Sequence, residues 1–365
     1  MKQQPGNIQR IAAGHVPDVR KIAVLRVNAL GDFLFTLPAL EALRAAYPDA
    51  EIVLLAKAWH AQFLAGRPSP VDRVEVVPRC RGVGEEPGIA EDAEQLAQFF
   101  EHMSGERFDL ALQLHGGGRY ANPFMRNLGA RVTVGLKTPD AVPLDRWIPY
   151  IYLQHEILRH LEVVSLVGAP SVQLEPRIAV TQEDRAEVRR FVATSEKPLV
   201  VLHPGATDPR RRWPPAKFAA VGDALAVAGA HVAITGTNAE REVVETVVGE
   251  MQTEALDLCG QLSLGGLTAL LAQARVVVAN DTGPLHLAAA VGTATVGIYW
   301  SFNLVNAGPL TRLRHRPLVS WQFTCPLCGS NNETTRCDHQ VSFVAAITTV
   351  DVIAAAQELG FASTA

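Results

Sequence analysis

Four short segments of this chain carry residue types and spacings that chemistry could use, and each follows an apolar run. In the first, Leu30-Gly31-Asp32 sits between the apolar run ending at Val27 and a stretch with helical spacing. Gly31 relieves a tight strand-to-helix turn, and Asp32 stands at or next to the start of the helix. A carboxylate there can take a proton from a substrate hydroxyl, or it can simply cap the helix; the positive end of the helix dipole keeps it ionised in either case.

The second segment, Leu202 to Pro215, joins His203-Pro-Gly-Ala206 and Thr207 to three consecutive arginines, Arg210 to Arg212. Flexible backbone beside cations at the end of a strand reads as an anion site, with a solvated charge run as the alternative. The third segment, Asn280-Asp-Thr-Gly-Pro-Leu-His286, is the most informative. Pro284 fits the first turn of a helix without losing a hydrogen bond. Thr282 and Gly283 would offer N–H groups and a hydroxyl to a phosphate at a helix N-terminus. Asp281 could accept from sugar hydroxyls, and His286 lies one turn further on; capping by Asp281 with a core His286 is the structural alternative. In the fourth, Glu240 follows Thr235-Gly236 at the opening of a helix, where a carboxylate can bind a ribose diol or merely begin the helix.

Other groups are less specific. Cys325, Cys328, Cys337 and His339 form a C-x2-C-x8-C-x-H array. These residue types suit zinc, reduced thiols packed beneath a loop, or a disulfide. His115-Gly-Gly-Gly118 resembles an esterase oxyanion loop, but no Gly-x-Ser-x-Gly accompanies it; the glycines read instead as a close approach to an acceptor or to a facing domain. Lys57 and Arg119, near expected strand ends, are candidate contacts for an anionic acceptor, with solvated surface charge as the alternative.

The elements that must position these groups alternate. Apolar runs at Lys21–Val27, Glu51–Ala56, Val74–Val77 and Phe108–Leu114 read as strands. Helical spacing appears at Phe33–Tyr47, Glu91–Met103 and Gln154–Val167. After a Pro- and Gly-containing stretch and a charged helix at Gln182–Thr194, the pattern restarts. Strands are expected at Pro198–Leu202, His231–Thr235, Ala255–Leu258, Val276–Ala279 and Thr295–Ile298. Alternation of this kind builds parallel sheets covered by helices, so the fold class is α/β with two doubly wound domains. The expected organisation is an N-terminal extension over 1–20, one domain over 21–178, a second over 179–345, and a C-terminal helix within 346–365 free to pack back on the first domain.

The 365 residues, 48% hydrophobic and 19% charged, describe an ordinary folded protein of about two domains. A formal charge of −4 gives no global field for gathering nucleic acid, so a nucleic-acid partner is not expected. The N-terminus has no uninterrupted apolar core of signal-peptide length, and five cysteines point to a reducing compartment, so a cytoplasmic location is expected. A nicotinamide dehydrogenase is disfavoured, since neither half has Gly-x-Gly-x-x-Gly between its first strand and helix.

Taken in order, Arg26 to Leu40 with its Leu-Gly-Asp core, His203-Pro-Gly-Ala206 with Arg211-Arg-Trp-Pro214, Thr235-Gly236 with Glu240, and Asn280 to His286 resemble glycosyltransferase family 9. That family comprises the ADP-heptose:lipopolysaccharide heptosyltransferases and their relatives. The resemblance runs from about Lys21 to about Leu359. It implies a GT-B fold of two Rossmann-like domains facing across a cleft, the first for the acceptor and the second for the nucleotide sugar. It implies inverting, metal-independent transfer of heptose from ADP-heptose to a lipopolysaccharide inner-core acceptor, with no cofactor and with peripheral contact at the inner membrane. Other nucleotide sugars or acceptors, and a non-catalytic nucleotide-sugar-binding protein, remain as alternatives. Carried over, Asp32 is the expected base, and Thr282 and Gly283 bind diphosphate. Asp281 meets a sugar hydroxyl, with Thr207, Arg211, Glu240 and His286 also on the donor side. The chain departs from the family at Arg211, where Lys is common, and at Phe343, where a last cysteine is common.

Overall fold

The computed structural model describes residues 14–192, 196–332, 335 and 337–361. The chain divides into two units between Pro176 and Arg177. Each is built on a six-stranded sheet in which every pairing is parallel.

In the N-terminal unit the strands are β1 (Lys21–Leu25), β2 (Glu51–Ala56), β3 (Arg73–Val76), β4 (Leu110–Gln113), β5 (Val132–Lys137) and β6 (Arg146–Pro149), in the order β3-β2-β1-β4-β5-β6. The C-terminal unit has β7 (Leu199–His203), β8 (His231–Ile234), β9 (Leu256–Asp257), β10 (Val276–Asn280), β11 (Ala294–Trp300) and β12 (His315–Ser320), in the order β9-β8-β7-β10-β11-β12. This is the doubly wound order of a dinucleotide-type fold, repeated. Its central strands are near-continuous apolar runs because both faces are covered, as in β10 where all five residues are buried.

Strands β5, β6 and β12 fall outside the expected set. They carry Thr133, Arg146, Pro149, His315 and Pro317 among their apolar residues, which dilutes the signal. Prolines are tolerated in β6 and β12 because both strands lie at sheet edges. The single helix expected over Phe33–Tyr47 is two, Leu30–Leu34 and Leu37–Ala46. Pro38 in the first turn of the second lacks the N–H that would have continued the first.

One further expectation changes. Of the loose extension over 1–20, residues 1–13 lie outside the described residues, while Val16 is buried and takes the Tyr47 hydroxyl on its N–H at 3.1 Å. His15 stacks on the Tyr47 ring, so this part of the segment is docked. The C-terminal helix, Thr349–Gly360, packs on the helix Pro215–Val227 and across β10, β11 and β12 of its own unit. Buried Val352 and Ala356 join the core that also holds Val278, Val296 and Trp213.

Candidate active site

In both sheets the strand order reverses between two neighbours, β1 and β4 in the first and β7 and β10 in the second. Ligands of open α/β sheets bind beyond the carboxyl ends of the strands at such a point. The candidate residues of the first and third segments follow β1 and β10 directly, and those of the second follow β7.

At the end of β1, Arg26 is 2% exposed, yet its guanidinium meets two carboxylates. Nη2 stands 3.0 Å from Asp32 Oδ1 and 3.2 Å from Glu156 Oε2, and Nε donates to the Asp32 carbonyl at 3.2 Å. Asp32 is not a helix cap. It is the third residue of Leu30–Leu34, whose N-cap is Ala29, and no side-chain cap bond forms. Its side chain is 36% exposed, so one oxygen is held by Arg26 while the other, Oδ2, has no partner among the described residues.

Glu156, Arg159 and His160 lie on one face of the helix Glu156–Ser165 and complete this cluster. Burial alone would raise the Glu156 carboxyl, but adjacent His160 and the Arg26 and Arg159 charges outweigh it and hold the group well below the usual carboxylate range. Burial pushes His160 down. Its Nδ1 lies 3.1 Å from the Phe35 carbonyl, and its Nε2 lies 3.4 Å from both Arg26 Nη1 and Glu156 Oε2. Arg159, stacked over Tyr150, ties the preceding loop through the Ile151 and Gln154 carbonyls at 2.7 and 2.9 Å. Sequence reading missed Glu156, Arg159 and His160. Their i, i+3, i+4 spacing was a signal that charged residues share a face, although nothing in it said that the face is buried against Arg26.

At the end of β10, Asp281 is buried with both oxygens occupied. Oδ2 accepts from Arg211 Nη1 at 3.0 Å, and Oδ1 lies 3.1 Å from His286 Nε2. Burial works against this carboxylate, but His286 and Arg211 prevail and hold its pKa below the usual value. Asp281 therefore positions Arg211 and His286. Arg211 spends one nitrogen here and keeps its remaining fork available, with the side chain 24% exposed. Its neighbours do not form a triple anion site: Arg210 is buried on Asp208, and Arg212 Nε donates to the Ala206 carbonyl at 2.8 Å.

Thr282 is the N-cap of the helix Gly283–Ala290 but makes no side-chain cap bond, so the first-turn N–H groups that a helix cannot satisfy internally stand beside Arg211. Asn280 fixes the turn. It accepts the Trp213 N–H at 3.0 Å and donates to the Pro204 carbonyl at 2.7 Å, stitching the loops after β7 and β10 together. Glu240 Oε2 closes a capping box on the N–H and hydroxyl of Thr237 at 2.8 and 2.9 Å. Its Oε1 packs so closely on Gly205 that any Cβ there would overlap it. His203, pushed down by burial, meets Thr235 Oγ1 at 3.0 Å through Nδ1 and faces Glu240 Oε1 at 3.9 Å through Nε2. Thr207 is exposed on the same loop.

The remaining candidates are less engaged. Lys57 follows β2 and caps the helix Ala58–Leu64. Arg119, 68% exposed, faces Asp140 at 3.7 Å. Of the glycines at 116–118, a Cβ at Gly117 would strike Thr138 and one at Gly118 would strike Asn122 and the Leu136 carbonyl, while the space at Gly116 is open. Among the described residues no helix is long and apolar enough to cross a membrane.

Residues 96–328 match the family model described as Glycosyltransferase family 9 (heptosyltransferase). The chain belongs to glycosyltransferase family 9. This family 9 glycosyltransferase is 27% identical over 296 residues to lipopolysaccharide heptosyltransferase 2 of Salmonella typhimurium, covering 76% of this chain and 82% of that one. Its fold is that of the solved Escherichia coli ADP-heptose lps heptosyltransferase II, with TM-score 0.72, 19% identity, and coverage of 93% of this chain and 98% of the other. The Escherichia coli heptosyltransferase WaaC with ADP superposes with TM-score 0.64 at 20% identity, over 82% and 93% of the two chains. The family 9 glycosyltransferase is thus a GT-B enzyme, and the two clusters above are its candidate machinery.

Proposed function

We propose that this glycosyltransferase moves heptose from ADP-heptose to a lipopolysaccharide inner-core acceptor, inverting the anomeric centre without a metal in the reaction. The observation that carries the reading is the Arg211–Asp281 pair beside the uncapped start of the helix Gly283–Ala290, a cation and free N–H groups arranged for a diphosphate. Relatives named as lipopolysaccharide heptosyltransferases, and a neighbour solved with ADP, support the choice of sugar, acceptor and nucleotide.

In the proposed step, Asp32 Oδ2 takes the proton of an acceptor hydroxyl whose oxygen attacks the anomeric carbon. The new carbon–oxygen bond forms as the bond from that carbon to the diphosphate oxygen breaks, and ADP leaves with the electron pair. Arg26 aims Asp32, and Glu156 keeps Arg26 in place. Charge gathering on the departing diphosphate is met by Arg211 and by the N–H groups of Thr282 and Gly283. Glu240 is the proposed ribose contact, with Thr207 and His286 at the edge of the donor site. Lys57 and Arg119 are the proposed acceptor contacts, and the protein works in the cytoplasm at the inner membrane surface.

Calorimetry with ADP, UDP and GDP, followed by turnover of ADP-heptose with and without added Mg2+, tests the reading. Preference for ADP and equal rates in both conditions are expected. Preference for UDP or GDP overturns the donor, and donor binding without turnover on any acceptor favours the non-catalytic alternative.

A further inference from the structure

Between the end of β12 at Ser320 and the helix starting at Thr349, the described residues form no long regular element. Connections of this length inside a compact unit need something to order them. The chain turns at Cys325-Pro-Leu-Cys-Gly329, where Gly329 adopts φ +72°. The turn is closed by Gly329 N–H to the Cys325 carbonyl and Cys325 N–H to the Ser330 carbonyl, both at 2.9 Å, with an antiparallel bridge between Thr324 and Asn331. It brings one ligand atom each from Cys325, Cys328, Cys337 and His339 within 4.8 Å of one another.

Backbone N–H groups also converge on the sulfurs, those of Leu327 and Cys328 on Cys325, that of Ser330 on Cys328, and that of His339 on Cys337. Such bonds hold the ligands of a thiolate site in orientation. A disulfide would use two of these four groups and leave the convergence of the other two without a purpose. A purely apolar packing of thiols does not account for Cys328 and His339, which are exposed, joining a buried Cys325. Phe343 is 1% exposed in the core, and His339 takes the fourth place in the cluster.

We propose that Cys325, Cys328, Cys337 and His339 bind one soft divalent metal ion, zinc being the reference ion, in a tetrahedral structural site that staples this loop to the C-terminal unit. Neighbouring ligand atoms in such a site lie about 3.7 Å apart around a metal–sulfur distance of about 2.3 Å, so the cluster needs only small side-chain movements to close. All four positions are taken by protein, which marks a structural site and keeps it apart from the sugar transfer. The stapled loop reaches the donor residues through a short path. Phe343, beyond the last ligand, donates its N–H to the Arg210 carbonyl at 2.8 Å and packs on Trp300, and Arg211 follows directly.

The test uses the full chain, purified reduced and with its affinity tag removed. Elemental analysis is expected to give about one equivalent of zinc or ferrous iron per chain, a stoichiometry that follows from one four-ligand cluster. Cobalt(II) added to metal-depleted wild type is expected to give the intense visible bands of tetrahedral coordination with sulfur-to-cobalt charge transfer. His339→Cys should keep the stoichiometry and shift those bands, while Cys337→Ser should lose them. The cobalt spectrum of the wild type decides the matter even if Cys337→Ser fails to fold. Absence of metal together with no cobalt bands overturns the site, as does a thiol count showing a disulfide among the three cysteines. Metal removal that leaves both thermal stability and proteolysis around 321–343 unchanged overturns the stapling role.

Discussion

Arg26 holds Asp32 through a 3.0 Å contact between Nη2 and Oδ1, and it does so from a position almost wholly closed to solvent. A buried cation whose charge is balanced by Glu156 and Asp32 aims the exposed carboxylate from beneath. Asp32→Asn preserves the shape but cannot take the proton, so kcat is expected to fall by about 10²–10⁴ with donor affinity by calorimetry unchanged. Turnover within a few-fold of wild type would remove Asp32 from the role of base.

Glu156 supports the same arrangement without touching substrate in the proposed step. Glu156→Ala leaves the buried Arg26 and Arg159 charges without their shared partner, a loss of roughly 3–5 kcal/mol, measured as a drop in urea midpoint at constant slope. Glu156→Gln keeps the volume and part of the hydrogen bonding and should recover some of that loss.

Acid should weaken the N-terminal unit before its carboxylates titrate. Burial lowers His60 and His115 to about 4 from an ordinary 6.5, and each ring leaves one buried nitrogen without a partner. Between these values the unfolded chain binds more protons than the folded one, so stability declines as pH falls from 6.5 towards 4, by on the order of 3 kcal/mol per histidine. Glu156, held low in the fold, adds a further loss as pH falls below its ordinary value of 4.5. Urea midpoints at pH 7, 5.5 and 4.5 should show the decline, and His115→Gln should flatten the upper part of it.

Arg211 serves two masters, Asp281 through Nη1 and the proposed diphosphate through the rest of its fork. Lysine has one compact head, so Arg211→Lys should weaken ADP binding by about 3–10-fold while leaving the fold intact, consistent with Arg and Lys differing at forked sites. Unchanged affinity would place the diphosphate elsewhere.

Gly205 leaves the space that Glu240 fills. Gly205→Ala should push the carboxylate off Thr237, costing about 1–2 kcal/mol through the broken capping box and lowering nucleotide affinity. A thermal scan and ADP calorimetry read the two effects separately.

The sequence determined the two α/β halves, because apolar runs alternating with helical spacing leave few other folds, and it marked the strand ends where the candidate groups lie. The order of motifs around Asp32, Arg211, Glu240 and Asp281 also identified the family. Only the tertiary structure showed which of these groups meet. Arg26 and Glu156 are distant in sequence, and neither carries a local sign that they meet in the core. Asp281 reads along the chain as a sugar-hydroxyl acceptor or a helix cap, and folding buries it between Arg211 and His286. The array of Cys325, Cys328, Cys337 and His339 has a spacing open to three readings, and only the folded chain shows that their ligand atoms lie within 4.8 Å of one another. Periodicity reports which face of an element is buried; which charged side chains share that burial depends on long-range packing.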